Sequence, residues 1–211
     1  MTIRALVVDD HRIVLRGIEE ILLKTPDIRV KGDASTGQEA LERIAHDEFD
    51  IVLLDISLPD RNGLEVLRLI KERKPYLPVL ILSMHPEEQY AIRALRAGAA
   101  GYLTKESALE ELIDAIRRVA QGRKYISTAL GEKLAFELES GTPRPLHEQL
   151  SDREYQVMRM IGAGKRNHEI AAKLFVSPKT VTTYKSRIFQ KTGMRTVAEI
   201  VRYILENGLS D

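Results

Sequence analysis

The chain of 211 residues contains no cysteine. A disulfide framework, a thiolate metal site and a cysteine nucleophile are therefore excluded. No stretch approaches the roughly 18 consecutive apolar residues of a membrane-spanning helix. The N-terminus also lacks the charged segment, apolar run and small-residue cleavage site of a secretion signal. We therefore expect a soluble, cytoplasmic protein with no membrane association.

The chain also lacks an excess of charge of either sign, because 32 Lys and Arg residues face 31 Asp and Glu residues. The charge is unevenly distributed, however. From Glu148 to the end there are 11 basic and 7 acidic residues, whereas the preceding part has 21 basic and 24 acidic residues. An acidic N-terminal part and a basic C-terminal part predict two domains with different partners.

Short apolar runs and amphipathic helical segments alternate five times in the first 120 residues or so. This alternation predicts an α/β fold with a doubly wound, five-stranded parallel sheet of the flavodoxin-like type and helices on both faces. Each helix is bounded by Pro or Gly. The predicted strands cover residues 3–8, 28–30, 51–54, 79–82 and 101–103.

Polar residues follow four of these strands at their carboxyl ends, where open α/β sheets bind ligands. They are Asp9, Asp10, Asp55, Ser83 and Lys105. Taken alone, each has a simpler structural role, such as a turn cap or a solvated surface lysine. Together, three carboxylates require a counter-ion, for which Mg²⁺ is suited. A carboxylate can attack phosphorus to give an aspartyl phosphate, while Ser and Lys contact the phosphoryl oxygens.

On the basis of these polar residues and the motifs around them, residues 1–122 resemble the receiver domain of two-component response regulators. The resemblance covers this whole part of the chain. The matching motifs are Val7-Val8-Asp9-Asp10, Leu54-Asp55-Ile56, Leu58-Pro59 with Gly63, Leu82-Ser83, Gly98-Ala99-Ala100-Gly101-Tyr102 and Lys105.

The resemblance implies that Asp55 is phosphorylated by a sensor histidine kinase. It also implies that Asp10, Asp55 and the backbone carbonyl of Ser57 ligate Mg²⁺, with Asp9 helping through water. Ser83 and Tyr102 would form a switch: Ser83 turns inward to bond the phosphoryl group, and Tyr102 follows into the vacated space.

Two positions depart from the receiver pattern. Glu106 follows Lys105, where many receivers have a proline that often follows a cis peptide bond. A cis bond costs more without proline, which leaves the conformation of this loop open. Met84 stands where many receivers have a small residue, and it would narrow access to Asp55.

Residues 123–147 are predicted to be a linker, with a short helix at 128–138 and a stretch rich in turn residues at 139–145. Only about 60 residues remain beyond it, too few for a kinase or phosphatase domain. We therefore expect no dedicated enzymatic output domain.

Residues 148–211 have the pattern of a four-helix, all-α helix-turn-helix domain. Ser151 and Glu154 form a predicted capping box, and Ser177-Pro178 begins the third helix. Asn167 is the predicted cap of the second helix, which is predicted to run from His168 to Phe175. The third helix has hydroxyl, amide and cationic side chains outside its apolar face, which suits a major groove. The alternative is a two-domain protein-binding module that does not read DNA.

This second part resembles the LuxR-type helix-turn-helix, and the pairing of the two parts is that of the NarL/FixJ group. The matching pieces include Glu169-Ile170-Ala171, Ser177-Pro178-Lys179-Thr180-Val181 and Lys191, and residues 182–185 resemble the GacA, UvrY and BvgA subgroup. The resemblance implies a phosphorylation-dependent homodimer that binds double-stranded DNA, with RNA polymerase as a candidate partner. The implied base contacts are Thr182, Thr183 and Ser186, and the implied backbone contacts are Lys179, Thr180, Lys185 and Arg187.

The unphosphorylated receiver is then expected to cover the recognition helix or to block dimerisation. A haloacid-dehalogenase-type phosphohydrolase would also use a strand-end Asp. It would need a second Asp two residues later, where Ser57 stands.

Overall fold

Strand β3 (Ile51–Leu54) lies in the middle of a five-stranded parallel sheet, and all four of its residues are buried. In the computed structural model, which describes residues 2–140 and 145–209, the chain divides into two units, Met1–Gly141 and Thr142–Asp211. The sheet belongs to the first unit. Its other strands are β1 (Ile3–Val8), β2 (Ile28–Ala34), β4 (Val79–Ser83) and β5 (Gly101–Thr104).

The strand order β2-β1-β3-β4-β5 is that of a doubly wound sheet, in which the order reverses beside β1. Val8 pairs with Leu54, and Ser83 pairs with Thr104. The residues that follow these strands therefore meet at one edge. The predicted fold class is confirmed.

Helices cover both faces of this sheet. Alternate residues of β3, Ile51 and Leu53, share a core with the apolar faces of the first and fifth helices. Val52 and Leu54 point to the opposite face, because side chains alternate along a strand. The helices of this layer structure are α1 (Arg12–Leu23), α2 (Gly37–His46), α3 (Gly63–Arg73), α4 (Glu87–Arg96) and α5 (Ala108–Ala120).

A sixth helix, α6 (Thr128–Ser140), covers the segment where the sequence predicts a helix at 128–138, and it belongs to the first unit. Just before it, Tyr125 pairs with Gly101 as an isolated parallel bridge on the outer edge of β5. Helix α6 itself contacts α4. Residues 141–144 of the predicted linker lie outside the described residues.

In its described residues, 145–209, the second unit contains a 3₁₀ turn (Leu146–Gln149) and the four predicted helices. The buried residues Val157, Val181, Ile188 and Ile200 come from three of these helices. The predicted capping box of Ser151 and Glu154 is present. The helices are α7 (Asp152–Gly162), α8 (Asn167–Lys173), α9 (Pro178–Thr192) and α10 (Val197–Glu206).

The prediction for α8 was wrong at both ends. Arg166, not Asn167, is the N-cap, and its N–H donates to the Glu169 carboxylate at 2.6 Å. The helix ends at Lys173, because Phe175 adopts a left-handed backbone conformation with φ of 53°. A non-glycine residue in this region seldom continues a helix.

Within the described ranges, no helix is both long and apolar enough to cross a membrane.

Candidate functional site

Asp55 is the centre of a buried charged cluster at the carboxyl edge of the sheet. Its side chain is only 2% exposed, and Lys105 Nζ donates to its Oδ2 at 2.8 Å. The same ammonium lies 2.6 Å from Oδ2 of Asp9. One cation from the end of β5 is thus shared by the carboxylates that follow β3 and β1.

The two oxygens of Asp55 differ in their environment. Oδ2 is bonded to Lys105, whereas Oδ1 is buried and has no hydrogen-bond partner among the residues that the structure describes. A buried carboxylate oxygen without a partner is costly, so this atom is ready to accept a new ligand.

Lys105 is held in its charged form. Burial by itself would lower the pKa of Lys105, but the attraction and the hydrogen bonds of Asp55 and Asp9 outweigh this effect and leave the pKa above its ordinary value. The ammonium is therefore a permanent positive charge at this edge.

Asp10 and His11 form the outer part of the cluster. His11 Nδ1 lies 2.8 Å from Oδ1 of Asp10, and the His11 N–H donates to Oδ1 of Asp9 at 2.9 Å. The sequence reasoning missed His11. The signal that could have found it is its position directly after the aspartate pair and directly before α1.

The residues at this edge fit a hard divalent cation. Asp9, Asp10, His11 and Asp55 can bring ligand atoms within 4.8 Å of one another. Mg²⁺ prefers oxygen ligands, and the unpartnered Oδ1 of Asp55 is such an oxygen. Asp9 is already engaged through both of its oxygens, by Lys105 and by the His11 N–H. Asp10 and Asp55 are therefore the better direct ligands.

The tight approach of α3 shapes the loop after Asp55. Gly63 begins this helix, and a side chain there would collide with the backbone carbonyl of Asp55. A bridge between Ser57 and Asn62 closes the loop. The hydroxyl of Ser57 lies 3.2 Å from Nε2 of His85, so these two side chains meet at the rim.

Ser83 and Tyr102 are both buried next to this edge. Ser83 Oγ accepts the N–H of His85 at 3.2 Å, and the Tyr102 hydroxyl donates to the carbonyl of His85 at 2.8 Å. Burial raises the pKa of Tyr102 well above its ordinary value, so the phenol stays protonated and acts as a donor. The Tyr102 ring is thus already buried, and the predicted switch residues Ser83 and Tyr102 both bond to the backbone of His85 in the loop between β4 and α4.

The departures from the receiver pattern are visible in the structure. The described residues contain no cis peptide bond, so Lys105 and Glu106 are joined by a trans bond. Met84 is 65% exposed.

Helix α9 presents the predicted polar face. Ser177 caps it by accepting the N–H of Thr180, and Gly193 ends it in a left-handed conformation. Val181 and Ile188 are buried in the helical core, while Tyr184 is half-buried. The predicted base and backbone contacts are exposed or half-buried; they are Lys179, Thr180, Thr182, Thr183, Lys185, Ser186 and Arg187.

Two threonine hydroxyls on this face act as hydrogen-bond donors to the backbone of their own helix. Thr182 donates to the carbonyl of Pro178 and Thr183 to that of Lys179, both at 3.1 Å. In this conformation the two oxygens offer lone pairs to the solvent, so each can accept a hydrogen bond. Asn167 lies nearby, with its amide 3.5 Å from the Thr182 hydroxyl.

A sheet edge with three carboxylates and a buried lysine, followed by a helix-turn-helix unit, defines the class of protein. The chain matches the response regulator receiver domain over residues 5–117 and the luxR family of bacterial regulatory proteins over residues 148–204. It therefore belongs to the two-component response regulators, and it is a transcription regulator with a LuxR-type DNA-binding domain. Its output domain is not enzymatic.

Individual relatives place it more narrowly. The response regulator UvrY of Escherichia coli (strain K12) is 36% identical over 208 residues, which are 98% of this chain and 95% of that protein. GacA of Pseudomonas aeruginosa is 36% identical over 212 residues, 99% of this chain and 98% of that protein. The predicted similarity to this subgroup is confirmed.

Solved structures agree with the fold. A LuxR-family response regulator from Aurantimonas sp. SI85-9A1 matches with a TM-score of 0.61 and 34% identity, over 65% of this chain and 99% of that one. RcsB from Salmonella enterica serovar Typhimurium, bound to the promoter rprA in the presence of BeF3⁻, matches with a TM-score of 0.65 over 96% of this chain and 98% of that one. At 22% identity, the second likeness concerns the fold alone.

Proposed function

We propose that Asp55 accepts a phosphoryl group from a sensor histidine kinase, and that its phosphorylation controls DNA binding by α9. The observation that carries this proposal is the buried Oδ1 of Asp55, which has no hydrogen-bond partner within the described part of the chain. Every other carboxylate oxygen of Asp9 and Asp55 is bonded to Lys105 or to His11.

The transfer is a displacement at phosphorus. A carboxylate oxygen of Asp55 forms the new P–O bond while the P–N bond to the kinase histidine breaks, and the electron pair of that bond stays on the imidazole nitrogen. Lys105 balances the charge on the phosphoryl oxygens. The same edge would return the group to water by hydrolysis of the acyl phosphate.

Asp10, Asp55 and the backbone carbonyl of Ser57 would hold Mg²⁺, with Asp9 contributing through water. The ion would supply charge neutralisation for the phosphoryl oxygens. The residues of the chain perform the rest: Asp55 provides the nucleophile, Lys105 binds a phosphoryl oxygen, and Ser83 turns its hydroxyl towards the group.

The output is a homodimer on double-stranded DNA. Val197 and Leu205 are 39% and 66% exposed, and together with Val201 they line one side of α10, at helical spacing. A dimer formed there would present two copies of α9 to half-sites about one helical turn apart. RcsB, a structural relative, was solved bound to promoter DNA in the presence of a phosphomimetic, and in another structure as dimers bound to DNA. These structures support DNA binding by a dimer. In the cytoplasm, the bound dimer would act on RNA polymerase.

The test is a phosphodonor titration of Asp55→Asn, with Asp114→Asn as the control because Asp114 is an exposed carboxylate on α5. Intact mass reports the phosphoryl group, and a duplex titration reports DNA affinity. Wild type and Asp114→Asn should gain the phosphoryl mass and bind DNA more tightly, whereas Asp55→Asn should do neither. An equal gain in DNA affinity for Asp55→Asn would overturn the proposal.

A further inference from the structure

The segment after α5 does not leave the receiver directly but returns along the outer edge of β5. We call residues 123–134 the strap. The Tyr125 N–H donates to the carbonyl of Ala100 at 2.9 Å, and the Tyr102 N–H donates to the carbonyl of Tyr125 at 3.3 Å. Lys124 Nζ donates to the carbonyl of Ala99 at 2.6 Å. The strap is thus hydrogen-bonded to the strand that carries Tyr102.

Gly101 makes this pairing close. A side chain at that position would collide with the carbonyl of Tyr125. The backbone of the strap therefore fits against β5 only because residue 101 has no side chain.

The next contact joins the strap to α4. The Ser127 hydroxyl donates to the carboxylate of Glu87, the first residue of α4, and the same oxygen accepts the N–H of Leu130 at 3.1 Å. Leu130, in the first turn of α6, is only 3% exposed. The start of α6 is therefore joined to α4 by the hydrogen bond between Ser127 and Glu87, and α6 packs against α4.

The β4–α4 loop connects this fastening to Ser83. Ser83 Oγ accepts the N–H of His85, two residues before Glu87. If Ser83 turns to a phosphoryl oxygen on Asp55, His85 loses this acceptor. The hydroxyl of Tyr102 donates to the carbonyl of the same His85, so it follows any movement of the loop.

We propose that the strap is a latch between receiver and output: it is held on α4 and β5 by Glu87 and Tyr102, and phosphorylation releases it. This inference rests on the proposed function. Release detaches residues 123–140, including α6, from β5 and α4. A longer tether lets the DNA-binding unit of one copy meet that of another.

The latch hypothesis is tested with a variant that removes only its acceptor. Glu87→Ala leaves Ser127 able to cap α6 through the N–H of Leu130. Loss of a hydrogen bond to a charged group corresponds to about a tenfold change in equilibrium constant. Hydrogen exchange of the full chain should therefore be about tenfold faster at amides 128–134 in Glu87→Ala than in wild type. The amides of α5 serve as the internal reference.

Two further variants separate the latch from simple helix capping. Ser127→Asp keeps a good cap but repels Glu87, so it should loosen the strap as Glu87→Ala does. The double variant Glu87→Lys with Ser127→Asp restores an attraction and should return exchange towards the wild-type rate. If Ser127→Asp behaved like wild type, the hydroxyl would serve only as a cap and the latch would be refuted.

Beryllofluoride with Mg²⁺ provides the phosphorylated-state comparison. In wild type it should raise the hydrogen-exchange rate at amides 128–134. Without beryllofluoride, Glu87→Ala should bind duplex DNA with an affinity closer to that of activated wild type. If activated wild type bound DNA more tightly with no change at 128–134, the latch would be overturned and the proposed function would stand. If a phosphodonor added no mass at Asp55, the proposed function itself would fail.

Discussion

The Lys105 ammonium binds Oδ2 of Asp55 and leaves Oδ1 without a partner within the described residues. Asp9 is bound to the same ammonium. The edge of the sheet is therefore neutralised only in part, and it keeps one buried oxygen open for a ligand. The stability of the first unit depends on this arrangement, whereas DNA binding depends on the polar side chains of α9.

Removing the shared cation should destabilise the first unit. In Lys105→Met, Asp9 and Asp55 remain buried without a counter-ion, and breaking a buried pair in this way costs roughly 3 kcal/mol. Urea unfolding should show this loss, and millimolar Mg²⁺ should recover part of it. Lys24→Met, on the surface, is the control. Equal unfolding midpoints for the two variants would show that Lys105 does not balance these carboxylates.

The phosphate contacts of α9 should appear in the salt dependence of DNA binding. Arg187 is exposed on α9, and Arg187→Ala should lower affinity for all duplexes and reduce the slope of log K against log salt by about 0.9. Lys24→Ala removes the same charge from the other unit and should leave the slope unchanged. A wild-type slope for Arg187→Ala would remove this residue from the interface.

Thr182 should select its base pair as an acceptor. Because its hydroxyl donates to Pro178, the oxygen presents lone pairs, which match the amino group of adenine or cytosine in the major groove. Thr182→Val keeps the shape but removes the acceptor, so discrimination at one base pair should fall by about 1 kcal/mol or more. Competition binding with single-base variants of the operator measures this effect. Unchanged discrimination at every position would place Thr182 outside the base contacts.

Glu154 should make the stability of the second unit pH-dependent. Its desolvation by burial is outweighed by the hydrogen bond from Lys191 and the capping bonds with Ser151, which lower the pKa of this carboxyl below 4.5. A lowered folded-state pKa contributes stability above the unfolded-state pKa, and this is lost as pH falls through the folded value. Glu154→Gln should therefore cost about 1.5 kcal/mol at pH 7.

The difference between wild type and Glu154→Gln should shrink below pH 4.5. Thermal unfolding of both full-length proteins between pH 3 and pH 7 measures this. Parallel curves across that range would mean that the carboxylate contributes no linked stability. Glu206→Gln, at an exposed position of α10, is the matched control.

Phe175 should carry a conformational cost. Its φ of 53° is disfavoured for any residue with a side chain, and its ring is 74% exposed. Phe175→Gly should raise the stability of the second unit by roughly 0.5 kcal/mol, since glycine adopts this conformation freely. Phe175→Ala keeps the strain and should show no such gain in thermal unfolding. A loss of stability in both variants would mean that the ring itself contributes packing.

The boundary of β2 shows how tertiary structure overrides a local pattern. The sequence predicts a strand only at 28–30, but β2 extends through Lys31, Gly32 and Asp33 to Ala34. Pairing with β1 continues along this length and supplies backbone hydrogen bonds that the polar side chains cannot predict. Its alternation of buried and exposed residues is that of an edge strand.

The sequence by itself determined the order of the elements and the convergence at one edge. An apolar run such as Ile51–Leu54 is typical of a strand that is buried on both faces of a parallel sheet. The capping box of Ser151 and Glu154 depends only on residues close together in the sequence. Because parallel strands end on the same side, Asp9, Asp55, Ser83 and Lys105 had to meet there.

Only the tertiary structure decided how these residues share their bonds. Lys105 binds one oxygen of Asp55 and one of Asp9, and His11 contacts Asp10. Tyr125 and Ser127 bind the linker to β5 and α4. All of these contacts depend on packing distances between distant segments. Sequence spacing carries no information about such distances, because the direction of each side chain is set by the helices and strands packed against it.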